Sequence, residues 1–375
     1  MSLALREARK GLGRTSPNPC VGAVIVKGGR IIAKGYHKKA GTPHAEVNAI
    51  RQASEDVVGA TLYVTLEPCN HTGKTPPCSR LVVDSGISRV VVGMTDPNPL
   101  VNGTGIEFLR SCGIEVETGI LEKECEDINR PFIKYITQRK PLVIMKAGVS
   151  LDGRLNYQLG QSGRITGEQS AIASHKLRNT VDAILVGRRT IEIDNPLLTT
   201  RLVRGRTKNP VRIIVDTELS SPLTSQVYLT EQAPAPTWVF HAPDASQQRI
   251  AQFLARGIRL FPIERKGKGL DLGQLLSALG KEEICSVLVE GGAKIHGAFL
   301  TERLVDYAHL FIAPIFAGDN SVALIEGYGV SNRATAPRLT EVRYKRLGDD
   351  MLVSGKLSYD EADCPQELRL IAKFR

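Results

Sequence analysis

Residues 61–78 read Thr-Leu-Tyr-Val-Thr-Leu-Glu-Pro-Cys-Asn-His-Thr-Gly-Lys-Thr-Pro-Pro-Cys. The run 61–65 is rich in β-formers, and a helix is expected over 79–85, just past the second cysteine. The same alternation extends in both directions. Upstream, 21–26 reads as a buried strand, Lys27-Gly28-Gly29-Arg30 as a hairpin turn and 31–33 as its partner strand. A helix is then expected to start near His44, with Ala45, Ala49, Ile50 and Ala53 on one face. Downstream, 90–93 is a third strand run. Strands alternating with helices predict an α/β layer structure.

A second series starts at 142–145 and continues with strand runs at 183–186, 211–215, 238–240 and 287–289, with helical segments between them. The acidic stretch 122–127 leads into Arg130-Pro131-Phe132, and Gln138-Arg139-Lys140-Pro141 punctuates the chain, so the domain boundary is expected near Pro141. Residues 1–141 would form one domain and 142–375 another, in keeping with a length of 375 residues.

Composition excludes several classes of protein. With 42% hydrophobic and 23% charged residues the chain is an ordinary globular one. No apolar run approaches the roughly 20 residues needed to cross a bilayer. The charged N-terminus lacks the features of a secretory leader, so a cytoplasmic location is expected. Seven scattered cysteines read as metal ligands or buried thiols, not as disulfide staples. The net charge of +10 raises a nucleic-acid partner as a possibility, yet the surplus is five in residues 1–141 and five in the remainder. So even a spread suits a solvated surface, or pockets for phosphorylated small molecules, at least as well as a nucleic-acid track.

The sharpest signal is His44-Ala45-Glu46 followed by Pro68-Cys69 and, eight residues on, Cys78. One His and two Cys offer Zn²⁺ three ligands and leave the fourth tetrahedral position for a water, whose acidity the metal raises. Glu46 is then the natural proton carrier. His-x-Glu with Pro-Cys-x-x-Cys is the signature of zinc deaminases. In mid-helix a spacing of two turns side chains about 200° apart, so His44 and Glu46 can share a site only at a helix start, which Thr42-Pro43 supports. The departure is the longer separation of the cysteines.

That departure is itself informative. His44-Ala-Glu46 with Glu67-Pro-Cys-Asn-His-Thr-Gly-Lys-Thr-Pro-Pro-Cys78 resembles the deaminase domain of the bifunctional pyrimidine deaminase/reductase family of riboflavin biosynthesis, in which the long spacing is the rule. Thr15-Ser-Pro-Asn-Pro-Cys-Val-Gly22 and Asp96-Pro-Asn-Pro99 extend the resemblance across most of residues 1–141. It implies zinc on His44, Cys69 and Cys78, with Glu46 as the catalytic proton shuttle. His71 would either add a polar group near the metal or order the loop and meet substrate; the need for an open coordination position favours the second. Asn18 and Lys74 are either substrate contacts or loop structure.

In the second half, Lys146-Ala-Gly-Val-Ser-Leu-Asp-Gly-Arg154 places a base, a hydroxyl and small residues at a strand end, where α/β proteins bind ligands. Ile284 to Gly292 is a strand running into glycines, with a helix start over 293–298. Glycines allow backbone N–H groups to approach a phosphate, although the spacing is not that of a Rossmann motif and a Gly pair is more often a turn. The order of Ser-Leu-Asp-Gly-Arg154, Asp182-Ala-Ile-Leu-Val-Gly187, Asp194-Asn-Pro-Leu-Leu-Thr199, Arg201 and Glu290-Gly-Gly292 is similar to that of the reductase domain of the same family.

The resemblance therefore spans nearly the whole chain. It implies an α/β fold with an N-terminal cytidine-deaminase-like three-layer αβα domain followed by a dihydrofolate-reductase-like α/β domain. Gly148, Thr190, Asp194 and Gly292 would line an NADPH site. Ser162, Arg178, Leu198, Arg201 and Glu290 would hold the substrate, with the two guanidiniums suited to its phosphate. Lys146 would contact substrate or pair with a carboxylate. Arg164 stands where many relatives have Trp; it could stack on the cofactor or be an exposed loop residue. The implied substrate is a diaminopyrimidinone ribosylamine 5′-phosphate, deaminated at its 2-amino group and then reduced at the ribose. A homodimer or higher homo-oligomer is expected, with neither nucleic acid nor membrane as partner. The competing readings are a tRNA base deaminase, which shares the zinc motif, and a non-catalytic module that keeps the fold.

Overall fold

In the computed structural model residues 1–70, 77–98, 101–229 and 235–359 are described; His71, Lys74 and Pro99 lie outside them. Contacts divide the chain into two units, Met1–Pro141 with Gly280–Cys285, and Leu142–Leu279 with Ser286–Arg375.

The first unit runs α1 (Ser2–Ala8), β1 (Gly22–Lys27), β2 (Arg30–Tyr36), α2 (Ala45–Arg51), β3 (Thr61–Leu66), α3 (Cys78–Asp84), β4 (Arg89–Met94), α4 (Thr104–Ser111), β5 (Glu115–Glu117) and α5 (Glu122–Gln138). The sheet order is β2-β1-β3-β4-β5. β1 is antiparallel to β2 and β3, while β3, β4 and β5 are parallel. Gly28 and Gly29, with φ of 55° and 74°, make the two-residue turn expected between β1 and β2. Ala23, Ile25, Leu62, Val64, Val90 and Val92 occupy alternate strand positions and pack with Ala45, Ala49 and Leu109 in one core.

Two features of this unit were not foreseen. The acidic stretch and Pro131 are parts of one 17-residue helix, α5. A proline costs a helix one N–H bond, and here the same helix is pinned by Asn129, whose amide bonds both the N–H and the carbonyl of Cys20 at 2.8 and 3.1 Å. Gly35 is the second. A Cβ on it would stand 2.4 Å from both Ala45 O and Ala49 N, so only glycine lets α2 lie against β2.

The second unit runs β6 (Leu142–Val149), α6 (Glu168–Arg178), β7 (Ala183–Gly187), α7 (Arg188–Asp194), β8 (Val211–Val215), β9 (Thr237–His241), α8 (Gln247–Leu254), β10 (Arg259–Pro262), β11 (Arg265–Lys266), β12 (Gly269–Leu270), α9 (Leu272–Lys281), β13 (Ser286–Val289), α10 (Ala293–Thr301), β14 (Tyr307–Ile312), β15 (Arg338–Leu347) and β16 (Asp350–Ser358). Nine strands form one sheet in the order β10-β9-β8-β7-β13-β6-β14-β16-β15. The strands from β10 to β14 are parallel, and β16 and β15 add an antiparallel hairpin at one edge. Insertion of β13 between β7 and β6 brings the C-terminal ends of β6, β13, β7 and β8 side by side. That edge of a parallel sheet is where ligands bind.

Candidate functional sites

In the first unit His44 is the N-cap of α2, with extended backbone (φ −69°, ψ 170°), and Glu46 lies in the first helical turn. This is the helix start that the two-residue spacing demands. Asn48 fixes it by donating to Tyr36 O at 2.9 Å and Pro43 O at 3.0 Å. Cys69 follows β3, and Cys78 opens α3. The loop carrying Cys69 is held by Glu67, whose buried carboxylate accepts the backbone N–H groups of Asp96, Gly103, Gly105 and Ile106 at 2.8–3.3 Å. No local pattern marks Glu67 for this task, because its four partners are 29 or more residues away.

The donor atoms of His44, Cys69 and Cys78 all lie within 4.8 Å of one another. His44 Nδ1 is 3.2 Å from Cys78 Sγ and 3.6 Å from Cys69 Sγ. Nitrogen and sulfur ligands on a tetrahedral zinc stand about 3.6 Å apart, so the three residues suit the ion without rearrangement of the chain. The Cys69 thiol is pushed down, first by the hydrogen bond from Cys78 and then by His44, while Cys78 is raised by the same pairing and by burial. Glu46 is buried; burial, and next the charge of Cys69, push its carboxyl up to about 7. Its Oε2 is buried and has no hydrogen-bond partner among the described residues. A buried carboxylate oxygen with no partner among the described residues, beside a His/Cys/Cys group that could hold a metal, is placed to take a proton.

These residues open on a cavity of about 540 Å³, lined also by Asn18, His37, Asp96, Asn98 and Arg139. Asn18 Nδ2 is 3.2 Å from His37 Nε2, and the His37 ring stands edge-on to His44 at 5.3 Å. No sequence signal singled out His37. A lone histidine after a strand carries no pattern, and only the fold brings it to the cavity.

In the second unit Glu290, just beyond β13, is the centre of a charge cluster. Arg178, the last residue of α6, donates Nε to Glu290 Oε1 at 2.7 Å and Nη2 to Oε2 at 2.8 Å, a bidentate pair. Lys146, from β6, reaches Oε2 at 3.4 Å. Burial alone would raise the Glu290 carboxyl, yet Arg178 and Lys146 hold it well below the usual carboxylate range. Arg201 joins the group through Thr199: its Nη1 donates to Thr199 Oγ1 at 2.8 Å, while Arg178 Nη1 donates to Thr199 O at 3.2 Å. Burial and the neighbouring Arg178 lower the Arg201 guanidinium. His175 accepts the backbone N–H of Arg201 at 3.1 Å, and burial, with Arg178 and Arg201, lowers it to about 4. Near neutral pH it adds no charge. Lys146, Arg178 and Arg201 against Glu290 leave a positive surplus that suits a phosphate.

A second cavity, about 700 Å³, lies at the C-terminal ends of β7 and β8 and is lined by Thr190, Asp194 and Gly292 among others. Gly148 is not among its lining residues; it sits in β6 with Thr166 at 3.1 Å from where its Cβ would be. The structure brings Arg178, Arg201 and Glu290 together. Leu198, with a left-handed φ of 52°, sends its side chain into the core beside Ile184, Val186 and Ile191, so only its backbone remains for a ligand. Apolar burial decides that orientation. Ser162 and Arg164 are exposed, and neither is tied to the charge cluster by a hydrogen bond or ion pair.

Residues 141–353 match the family described as the RibD C-terminal domain, and residues 1–94 the cytidine and deoxycytidylate deaminase zinc-binding region. The chain is 42% identical to the riboflavin biosynthesis protein RibD of Bacillus amyloliquefaciens, over 94% of each chain. It is 37% identical to RibD of Escherichia coli, over 94% of this chain and 96% of that one. Among solved structures it is similar to the diaminohydroxyphosphoribosylaminopyrimidine deaminase/5-amino-6-(5-phosphoribosylamino)uracil reductase of Thermotoga maritima. That similarity has a TM-score of 0.83 at 39% identity and covers 96% of this chain and 97% of the other.

Proposed function

We propose a role for each site residue from one premise: the chain belongs to the RibD family of riboflavin biosynthesis proteins. It is a bifunctional enzyme, a zinc-dependent deaminase and an NADPH-dependent reductase in one chain. Its substrate in this reading is 2,5-diamino-6-(5-phosphoribosylamino)pyrimidin-4-one, whose 2-amino group leaves as ammonia and whose ribosyl group then becomes ribityl phosphate. The observation that carries the first step is the convergence of His44, Cys69 and Cys78 beside Glu46, whose buried Oε2 has no hydrogen-bond partner among the described residues.

Zinc, when bound, supplies a Lewis acid and an acidified water. His44, Cys69 and Cys78 hold it. Glu46 does the proton work: ionised, it accepts the proton of the attacking water, and protonated, it delivers that proton to the departing amino group. A buried carboxyl, which gives up its charge more readily than an exposed one, is suited to do both. Asn18 and His37, in the same cavity, orient the pyrimidine ring.

In the second unit NADPH supplies the hydride. Thr190, Asp194 and Gly292 line its cleft, and Gly148 keeps β6 free of a side chain beside Thr166. Arg201 offers the substrate phosphate more unused donors than Arg178, whose guanidinium is already committed to Glu290 and Thr199 O. Glu290 in turn fixes Arg178 and Lys146. Ser162 and the Leu198 backbone complete the substrate contacts.

The same reading includes a cytoplasmic, self-associating protein. It is supported by the edge strand β15 with exposed Val342 and Tyr344, and by the absence, among the described residues, of a helix long and apolar enough to cross a membrane. The test is a coupled assay on the purified chain: ammonia release from the diaminopyrimidine phosphate, then consumption of NADPH. Ammonia first and NADPH loss only afterwards is the expected order. Ammonia from tRNA instead would overturn the substrate assignment.

A further inference from the structure

The cleft at the ends of β7 and β8 is lined by five cationic side chains among the described residues: Arg154, Arg188, Arg189, Lys268 and Lys294. Three of them have a carboxylate close by. Arg188 pairs with Glu192 at 2.9 Å, Lys294 with Glu326 at 3.5 Å, and Arg154 lies 4.0 Å from Asp152. Arg189 and Lys268 make no ion pair or hydrogen bond to a described residue, so their charge is available to a ligand. They differ in position. Arg189 follows β7, whereas Lys268 is on the turn of the β11–β12 hairpin, opposite Val215 and Thr217 from the end of β8.

Strand order gives the cleft a direction. The substrate cluster stands on β6 and the end of β13, through Lys146 and Glu290. Hydride transfer requires the nicotinamide to be beside the substrate. The rest of the dinucleotide must then extend away over β7 and β8, toward the hairpin, because β7 and β8 follow β13 in the sheet. The adenosine end, which alone distinguishes NADPH from NADH, falls at β8 and Lys268.

Two acidic groups on the hairpin side, Glu218 and Asp244, are already occupied. An unpaired carboxylate beside the adenosine ribose favours NADH by binding its 2′-hydroxyl, whereas a cation there accommodates the 2′-phosphate. Glu218, next to Thr217, is held by Arg265 Nη1 at 2.8 Å, and Asp244 by Arg265 Nη2 at 2.9 Å. The hairpin is fastened by these pairs, by Lys266 to Glu302 at 2.9 Å and by the buried Leu270, so that Lys268 projects from a fixed turn.

We infer that Lys268 is the specificity-determining residue that reads the 2′-phosphate of NADPH and sets the preference over NADH. This rests on the cleft being the NADPH site, as given under Proposed function. The reader of the phosphate is a residue of a surface hairpin, distant in sequence from the glycine and threonine positions that line the rest of the cleft.

The test is equilibrium binding to the full chain, by quenching of protein or cofactor fluorescence, with NADPH, NADH, 2′,5′-ADP and 5′-ADP as probes. Lys268→Ala should weaken NADPH and 2′,5′-ADP by roughly two- to fivefold, the range for one exposed charged contact, and leave NADH and 5′-ADP unchanged. Lys268→Arg should restore the preference. Arg189→Ala, at the β7 end, should weaken all four probes alike. Equal weakening of NADPH and NADH by Lys268→Ala overturns the inference, as does a preference that survives Lys268→Ala and vanishes in Arg189→Ala. A wild-type chain that binds neither dinucleotide would instead remove the cofactor reading of the cleft itself.

Discussion

Replacing Glu290 by Gln keeps the volume of the side chain and removes its charge, which leaves Lys146 and Arg178 facing each other without the carboxylate that both contact. Removing one partner of a buried ion pair costs about 3–5 kcal/mol. The amide can still accept one bond from Arg178, so the lower end, about 3 kcal/mol, is expected. In urea, with a slope of about 2 kcal/mol per molar, the midpoint should fall by roughly 1.5 M. Trp238, the one tryptophan of the chain, lies in β9 and reports on the second unit by fluorescence. Inorganic phosphate adds a second readout. With Glu290 neutralised the cluster holds three uncompensated cations, so phosphate should stabilise Glu290→Gln more than the wild type. The sign with pH is fixed as well. Glu290 is held below its unfolded value, so the pair contributes in full above about pH 4.3 and its contribution is lost on acidification; the Gln variant should lack that acid limb. A midpoint unchanged from wild type, or equal phosphate effects on the two proteins, would refute the description of the cluster as an anion site organised by Glu290.

Glu46→Gln should retain zinc, measured by metal analysis, and lose ammonia release by about 10²–10⁴-fold; loss of the metal together with the activity would make Glu46 structural. Gly35→Ala drives a Cβ against the backbone of α2, and should cost about 1–3 kcal/mol and lower zinc content, since His44 and Glu46 move with that helix. Full zinc occupancy in a stable Gly35→Ala protein would contradict the close approach. His175 and His296 are both lowered by burial to about 4, so each favours folding above its unfolded value of about 6.5 and gives up that contribution as pH falls toward 4. At pH 5 this amounts to at most about 2 kcal/mol for each, and His175→Gln should flatten the Trp238-monitored pH profile; a wild-type profile that is already flat between pH 7 and 5 would rule it out.

The candidate metal site was legible because its residues are compressed into short segments. His44-Ala-Glu46 and the two cysteines are unusual residue types at defined spacings, and a helix start is the one local geometry in which His44 and Glu46 can share a site. Strand runs such as β3, β7 and β8 were equally plain, since buried parallel strands are nearly continuous apolar sequence. The edge hairpin β15–β16 was not seen, because its exposed strand, with Arg343, Lys345 and Arg346, lacks that pattern. Helix α5 was missed at Pro131, where the local rule for proline was overruled by packing around Asn129 and Cys125.

What the sequence by itself determined was the class of fold and, through resemblance, the presence of a deaminase and a reductase in one chain; it also singled out His44, Cys69 and Cys78, which the fold brings together beside Glu46. Tertiary structure alone decided which charges neutralise one another. Arg178 and Glu290 are 112 residues apart, Lys146 and Glu290 are 144 apart, and Asn18 meets His37 across the whole β1–β2 hairpin. Leu198 turned into the core and Lys268 was carried to the cleft at the ends of β7 and β8 by the same cause. Ion pairs and burial depend on distances through space, and those are set by strand order and packing of the whole unit, while a sequence pattern records only what neighbours along the chain require.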